Sequence, residues 1–395
     1  MIPVVEYFLD GLAVVALLPT LVLALQVLVA LPRQLPRAPP PGRRPRVTVL
    51  MPAHNEALLI AASVRAVIGQ LAPGDRLLVV ADNCSDETAR IAVAAGAEVI
   101  ERHDSERRGK SYALDFGVRH LQRDPPEIVL VLDADCDIDG DSVGRLAVTA
   151  LTANRPAQAL YLMHAPPGAA LRTRIAAFAW LVKNQVRALG FHRLGLPCPL
   201  MGSGMAFPWP LIANATLASG HLSEDFKLGT DLALAGRPPL YCPEARVDSR
   251  FPLAAAGIAS QRTRWEHGHL WVILESGPRL FAQALVRGDL RILAIALDLC
   301  VPPLALLLLF ATAVFFVNAA FYAVTAERLP LALATLTLFA LGTAVLLAWL
   351  AYGRQVISLA SLAYAPLYAL WKIPLYCKFV INRQVEWVRS KRDGE

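Results

Sequence analysis

The eleven residues Glu127–Asp137, EIVLVLDADCD, constrain this chain more than any other stretch. A run of β-formers, too short for a helix, breaks off into three alternating carboxylates, Asp133, Asp135 and Asp137. An unbroken apolar run of this length reads as a strand buried in a parallel sheet. Such sheets take their ligands just beyond the carboxyl ends of the strands. Two acids presented there, with no basic neighbour in the run, repel one another unless a hard cation lies between them. A divalent metal bridging the protein to a substrate phosphate is the simplest arrangement, and an ordinary acidic turn is the alternative.

The same order of strand, polar loop and helix recurs upstream. A strand over Val47–Met51 leads into Pro52-Ala-His-Asn-Glu56 and a helical stretch to about Gln70. A second, Arg76–Ala81, leads into Asp82-Asn-Cys-Ser-Asp86 and another helix. A third, Ala97–Glu101, precedes Arg107-Arg-Gly-Lys110 and a helix beginning near Ser111. This alternation predicts an α/β domain with a parallel sheet and crossover helices. Each polar cluster falls at the carboxyl end of its strand, so four clusters are expected to converge on one crevice. Further on, Leu160–His164 reads as a strand and Arg172–Leu189 as an amphipathic helix. Met201-Gly-Ser-Gly-Met-Ala-Phe207 is a Gly-rich approach to the sheet, and Leu222-Ser-Glu-Asp-Phe226 opens a helix.

Both ends of the chain are far more apolar than this middle. With 55% hydrophobic residues and a mean hydropathy of +0.45, the whole is too apolar for a purely soluble enzyme. Tyr7–Leu31 has roughly the ~20 residues needed to cross a bilayer. Glu6 precedes it and Asp10 lies within it, so it does not read as a cleaved signal peptide with a positive leader. Arg33, Arg37, Arg43, Arg44 and Arg46 follow, which places the N-terminus outside and the middle domain in the cytoplasm. The net charge of +6 is then a basic surface near anionic membrane lipid. Without interleaved aromatics or a known motif, nucleic acid is not expected as a partner. Residues 256–288 mix polar, aromatic and apolar groups, as helices at a membrane interface do. Crossings are predicted at about 297–323 and 331–351. Residues 355–379, interrupted by Pro366 and Pro374 and followed by Lys378, Arg383, Arg389, Lys391 and Arg392, read as re-entrant or interfacial. The six cysteines form no CxxC pair and are expected as free thiols.

Several local signals admit two readings. Asp82-Asn83 would accept hydrogen bonds from a nucleobase or ribose, or close an Asx turn. Lys110, entering a helix after Gly109, would meet phosphate together with the helix amides, or be a solvated surface charge. Ser223 suits an N-cap with Glu224 and Asp225 in the first helical turn; a functional Asp225 would instead take the proton of an acceptor hydroxyl. In Gln261-Arg-Thr-Arg-Trp265, the Arg264–Trp265 pair is either an interfacial anchor or a sugar-stacking platform with a cation for a departing diphosphate. His267 and His269, two residues apart, fall on different helix faces and read as interfacial rather than zinc-binding.

Taken in order, Asp82, the Asp133-x-Asp135 pair, Glu224-Asp225 and Gln261-x-x-Arg264-Trp265 resemble the motifs of membrane-embedded family 2 glycosyltransferases. That group includes cellulose, chitin and hyaluronan synthases, exopolysaccharide glycosyltransferases and ceramide glucosyltransferase. The resemblance covers about residues 46–270. It implies a GT-A (Rossmann-like) fold and inverting transfer from a nucleotide sugar, usually a UDP-sugar. It also implies that Pro52, His54, Glu56, Asp82, Asn83, Lys110, Asp133, Ala134 and Asp135 bind the nucleotide sugar, with Asp135 and Asp133 on Mg2+ or Mn2+. Asp225 would be the general base, Gln261, Arg264 and Trp265 would serve the diphosphate and acceptor, and Gly202, Ser203, Gly204 and Glu224 would line the acceptor site. Trp387-Val-Arg-Ser-Lys-Arg392 is similar to an element that closes over nucleotide in hyaluronan synthases, with Val388 and Arg389 in place of Gly-Thr. Trp387, Arg389 and Lys391 would form that gate, or a basic membrane-surface tail.

The expected organisation is a transmembrane helix at 1–31, a linker at 32–45 and the GT-A domain at 46–250. Interface helices follow at 251–290, a transmembrane and re-entrant region at 291–379, and a cytoplasmic basic tail at 380–395. The protein would sit in the inner (plasma) membrane with several crossings. Too few crossings are predicted for a polymer channel. The first expectation is therefore single addition to a lipid-anchored acceptor, a polyprenyl-diphosphate-linked oligosaccharide in bacterial exopolysaccharide assembly. A ceramide-type glycolipid acceptor is second. A processive synthase completed by homo-oligomerisation or polysaccharide-assembly partners is third. A catalytically silent membrane scaffold or export partner is the reading from another class, and a polyprenyl-phosphate sugar synthase is a second enzyme alternative.

Overall fold

The computed structural model describes residues 2–31, 42–218, 220, 221, 223–252 and 255–382. Two compact units share the chain. One gathers the N-terminal helix, Pro167–Gly195 and the helices from Ala296 onward; the other gathers the strand-bearing residues up to Pro166 and Leu196–Ile295.

The strand-bearing unit follows the predicted alternation. β1 (Val47–Ala53), β2 (Arg76–Asp82), β3 (Glu98–Arg102) and β4 (Ile128–Val131) are parallel neighbours in the order β3-β2-β1-β4. Helices Ile60–Ile68, Thr88–Ala94 and Lys110–Leu121 make the crossovers. The four residues of β4 are all buried, as an unbroken apolar run requires, and they pair with Val47, Thr48, Val49 and Leu50. Leu50, Leu78, Val80, Val129 and Val131 pack under Ala113, Leu114, Val118 and Leu121 of the third crossover helix. Each such large side chain contributes about 1.5–3 kcal/mol on burial.

Beyond β4 the sheet becomes mixed. β5 (Asp137–Asp139), β6 (Ala157–His164), β7 (Met205–Pro208) and β8 (Leu240–Arg250) complete an eight-stranded sheet, β3-β2-β1-β4-β7-β6-β8-β5. β7 runs antiparallel to β4, with Val131 opposite Met205. Its first residue therefore lies beside the last residue of β4, and that reversal carries Gly202–Gly204 to the acidic turn. Asp137 departs from its two partners: it opens the edge strand β5, paired with β8, and is exposed.

In the other unit, three helices among the described residues are long and apolar enough to cross a membrane: Val4–Ala30, Leu304–Thr325 and Leu329–Gly353. The predicted crossing at 297–323 is corrected at its start. Leu290–Leu299 is a separate ten-residue helix, and the span begins only at Leu304. Pro302 and Pro303 intervene; lacking N–H donors, they cannot continue a helical ladder. Residues 355–379 contain short helices rather than one span.

A buried polar triad ties this unit together. Gln26 Nε2 donates to Asp298 Oδ1 (2.6 Å), and Arg187 Nε donates to Gln26 Oε1 (3.2 Å). Arg187 Nη2 donates to both the Asp298 backbone carbonyl (2.6 Å) and Oδ1 (3.0 Å). All three side chains are buried. Arg187 comes from a π-helical turn, Val182–Arg187, within the helical stretch after Leu171. A Cβ on Gly190 would stand 2.1 Å from the Gln26 carbonyl oxygen, so only glycine lets the two backbones approach this closely.

Candidate active site

Because β1 to β4 are parallel, their carboxyl ends share one edge, and the polar loops of the sequence line up along it. At the β4 end the chain turns at once: Cys136 N donates to the Asp133 carbonyl (3.1 Å). Asp133 N donates to Ser203 Oγ (3.0 Å) and Gly204 N to the Val131 carbonyl (3.0 Å). Gly202 and Gly204 have φ of +94° and +69°, the left-handed region that favours glycine. At Gly204 space also forbids a side chain, since a Cβ would meet Ala159 Cβ and Val247 Cγ2 at 2.8 Å. A Cβ on Gly202 would lie 3.5 Å from Asp225 Oδ2, so the Asp225 carboxylate stands over this glycine turn.

Lys110 is the centre of the cluster. Its ammonium pairs with Asp133, donates to the Gly202 carbonyl (2.7 Å) and lies 3.9 Å from Glu224 Oε1. Burial works against that charge, but Asp133, Glu224 and Asp225 together hold the Lys110 pKa above its ordinary value. Burial pushes the Asp133 carboxyl up, Lys110 pulls it down, and the charges of Asp135 and Asp225 push it up again. Glu224 is pushed up to about 7 by burial, with Lys110 opposing and Asp225 adding to the rise. Lys110, Asp133, Asp135, Glu224 and Asp225 thus belong to one electrostatic neighbourhood. Of the two sequence readings of Lys110, the solvated surface charge is excluded.

Donor atoms of Asp133, Asp135 and Cys136 lie within 4.8 Å of one another, a set able to hold a metal ion. Carboxylate oxygens are the hard donors that Mg2+ and Mn2+ prefer. The Cys136 thiol is buried, and burial together with the two adjacent carboxylates drives its pKa well above the usual thiol range. By donor chemistry, the two aspartates suit these ions better than the thiol does. All six cysteines lie outside any disulfide.

At the β1 and β2 ends the loops are woven together. His54 Nδ1 donates to the Asp82 carbonyl (2.6 Å), Glu56 N to Thr88 Oγ1 (2.7 Å) and Ala57 N to Asp86 Oδ2 (3.1 Å). Asp82 is buried, and its Oδ1 accepts from Arg102 Nη1 (2.6 Å) and Asn83 Nδ2 (3.0 Å). Asn83 adopts φ +53°, and its side-chain oxygen accepts from Asp104 N (2.8 Å). Arg102, Asp104 and Thr88 escaped the sequence reading, and Asp86 stood in it only as the end of the Asp82–Asp86 loop. Arg102 ends a strand in a polar stretch, and nothing local marks it as the buried partner of a carboxylate 20 residues earlier.

Gln261, Arg264 and Trp265 lie on one helix, Ala255–Arg287, rather than on several short ones. At positions i, i+3 and i+4 they share a face, and Gly268 continues it. Trp265 meets Phe251 edge to face, with ring centroids 6.4 Å apart. A Cβ on Gly268 would stand 2.1 Å from Ser223 Oγ, and His269 stacks on Phe226 at 5.0 Å. This face is therefore packed on the start of helix Glu224–Leu234, which carries Glu224 and Asp225. Two expectations are corrected here. Ser223 occupies the N-cap position but makes no side-chain cap bond, its hydroxyl being against Gly268. His267 and His269 are buried in protein rather than interfacial. Trp387, Arg389 and Lys391 lie outside the described residues.

The Gly268 contact makes a test. Gly268→Ala adds a methyl that must displace Ser223, and overpacking of this kind costs about 1–3 kcal/mol. The variant is expected to melt lower, and adding Ser223→Gly, which removes both clashing atoms, should restore the melting temperature. Equal melting of Gly268→Ala and the parent would remove the close approach as a structural requirement.

The model of the glycosyltransferase-like family 2 matches residues 45–268. Among curated relatives, the probable glycosyltransferase YdaM of Bacillus subtilis is 36% identical over 99 residues, 23% of this chain and 23% of that one. The 4,4'-diaponeurosporenoate glycosyltransferase of Staphylococcus aureus is 38% identical over 77 residues, 19% of this chain and 20% of that one. The match thus spans less than a quarter of the length of either relative. Among solved structures, the mannosyltransferase PcManGT from Pyrobaculum calidifontis, in complex with GDP-Man and Mn2+, superposes with a TM-score of 0.56. At 19% identity, over 95% of this chain and 100% of that one, the likeness establishes a common GT-A fold. Since the family match extends over more than half of the chain, this protein belongs to glycosyltransferase family 2.

Proposed function

We propose that the protein moves a sugar from a nucleotide sugar, a UDP-sugar first, to a lipid-anchored acceptor by a single inverting displacement. The carrying observation is the cluster in which Lys110 pairs with Asp133, lies 3.9 Å from Glu224 Oε1 and feels the charge of Asp225. It joins a cation suited to a diphosphate, and an acid pair suited to its metal, with the second acid pair Glu224-Asp225. PcManGT, a structural neighbour, was solved with a nucleotide sugar and Mn2+, which supports the same class of donor and metal here.

Asp133 and Asp135 would hold Mg2+ or Mn2+, whose charge offsets that building on the diphosphate leaving group. Lys110 adds a fixed ammonium at the same place, already oriented by the Gly202 carbonyl. The strand-end network of His54, Asp82, Asn83 and Arg102 holds the loops against which base and ribose would lie. Asp225, over the Gly202 turn, takes the proton from the acceptor hydroxyl as it attacks the anomeric carbon. Arg264 supplies charge-assisted hydrogen bonds to the departing diphosphate, and Trp265 offers a ring face to the acceptor sugar.

The acceptor we propose is a polyprenyl-diphosphate-linked oligosaccharide of bacterial exopolysaccharide assembly, used at the cytoplasmic face of the inner membrane. Supporting this orientation, Arg44 and Arg46 follow the first apolar span, and basic residues favour the cytoplasmic side. Three candidate spans among the described residues are few for a polymer-conducting path, which favours one addition per encounter.

The test uses the full chain in vesicles with a panel of nucleotide sugars and either metal. Nucleoside diphosphate release with a single-sugar product is expected, and a product ladder would overturn single addition. Asp135→Ala is expected to abolish the metal-dependent part of UDP binding. Unchanged metal-dependent binding in that variant would remove Asp135 from the metal site.

A further inference from the structure

The end of the helical unit carries an outward face with the wrong chemistry for water. After the last apolar span come three short helices, Leu359–Leu362, Ala365–Trp371 and Ile373–Ile381, the second and third opened by Pro366 and Pro374. At 4, 7 and 9 residues they fall well short of the length that crosses a bilayer. Along the middle helix Tyr368, Ala369 and Lys372 are buried. Tyr364, Leu367, Leu370 and Trp371, on the other side, are 46–64% exposed. A helix lying along a protein in water carries polar groups outward; this one is apolar outward as well. Val380 and Ile381, at the end of the third short helix, are exposed as well.

Cations sit on the aromatic rings around that patch. The Arg172 guanidinium lies 4.2 Å from the Trp371 ring centroid, and the Lys372 ammonium lies 4.9 Å from that of Tyr368. Arg354 lies 5.7 Å from Trp349, in the last turn of the preceding span. Tyr368 and Trp371 are themselves stacked. Aromatic rings at a span's end belong to the membrane–water boundary, and cations there meet anionic headgroups.

We propose that residues 359–381, together with Arg172, lie in the plane of the bilayer at the headgroup–acyl boundary and hold the headgroups of anionic phospholipids. The outward apolar side chains sink among acyl chains while the exposed Arg172 and Arg354 meet lipid phosphates. Membrane phospholipid is the fitting occupant because the apolar surface beside the cations is open rather than an enclosed slot for one molecule. The inference does not depend on the transfer reaction, and its test reads depth and lipid preference rather than turnover.

Cys377, exposed on the third short helix, is the handle. The full chain is labelled there with an environment-sensitive fluorophore, with Cys377→Ser protein as the background, in vesicles of phosphatidylcholine and phosphatidylglycerol. Shallow burial of 5–10 Å predicts that a nitroxide near the headgroup quenches about twofold more than one near the chain end. Stronger deep quenching, as for a crossing helix, or no quenching by either, overturns the proposal. Headgroup-labelled phosphatidylglycerol should quench better than labelled phosphatidylcholine, and Arg172→Gln should lower that ratio about fivefold, the weight of one cation at an anionic surface. An unchanged ratio in Arg172→Gln removes the headgroup contact. A fluorophore that responds to farnesyl diphosphate but not to phosphatidylglycerol would assign the surface to a lipid-linked substrate and defeat the proposal.

Discussion

Asp225→Asn is expected to lower turnover by about 10²–10⁴-fold, the usual contribution of a general base, while leaving nucleotide binding intact. The asparagine keeps the volume and a hydrogen-bonding oxygen, so the Gly202 turn beneath it is not disturbed. What is lost is the charge that accepts the acceptor's proton, and with it one of the three acids that stabilise the Lys110 ammonium. Since Asp133 and Glu224 remain beside Lys110, the cation should stay in place and the donor site with it. Steady-state turnover and UDP binding, measured on the same preparation, separate the two effects. Parent-like turnover would take the base role from Asp225, whereas loss of UDP binding would recast it as a structural anchor of the crevice.

Arg187→Leu is expected to destabilise the helical unit by about 3–5 kcal/mol, because it strips the partner from a buried carboxylate. Asp298 Oδ1 accepts from both Arg187 and Gln26, and the Asp298 backbone carbonyl also takes an Arg187 donor. Leucine replaces none of these bonds, and the triad is sealed from solvent. A double variant, Arg187→Leu with Asp298→Leu, should recover much of the loss, since removing both charges leaves no unpaired ion. Unfolding in detergent, followed by a probe in the N-terminal helix, reads the effect. If the single variant unfolds like the parent, the triad does not pin that helix.

Much of the sheet could be read from the chain because its signals are local. The buried run before Asp133 and the three strand–loop–helix repeats before it predict β1 to β4 and their shared edge. Gly109-Lys110 likewise announces a cation at a helix start. The missed features depend on partners far away in the chain. Arg102 finds Asp82 across two strands, Gly268 finds Ser223 across 45 positions, and Arg187 finds Asp298 across 111. No periodicity within a window of one or two turns records such meetings. His267 and His269 show the same limit: their spacing alone gave two helix faces, and packing of the helix against Phe226 buried His269.

Apolar runs, acidic strand ends and the motif order from Asp82 to Trp265 were enough by themselves to specify a glycosyltransferase family 2 domain attached to apolar helices. Each of those properties is written in neighbouring residues, where backbone preference and burial act directly. Which acid touches Lys110, why residue 202 must turn with positive φ, and how Pro167–Gly195 comes to pack with the apolar helices were decided only in three dimensions. They follow from antiparallel insertion of β7 and from close helix approaches, and those depend on shape and charge matching between segments that share no local pattern.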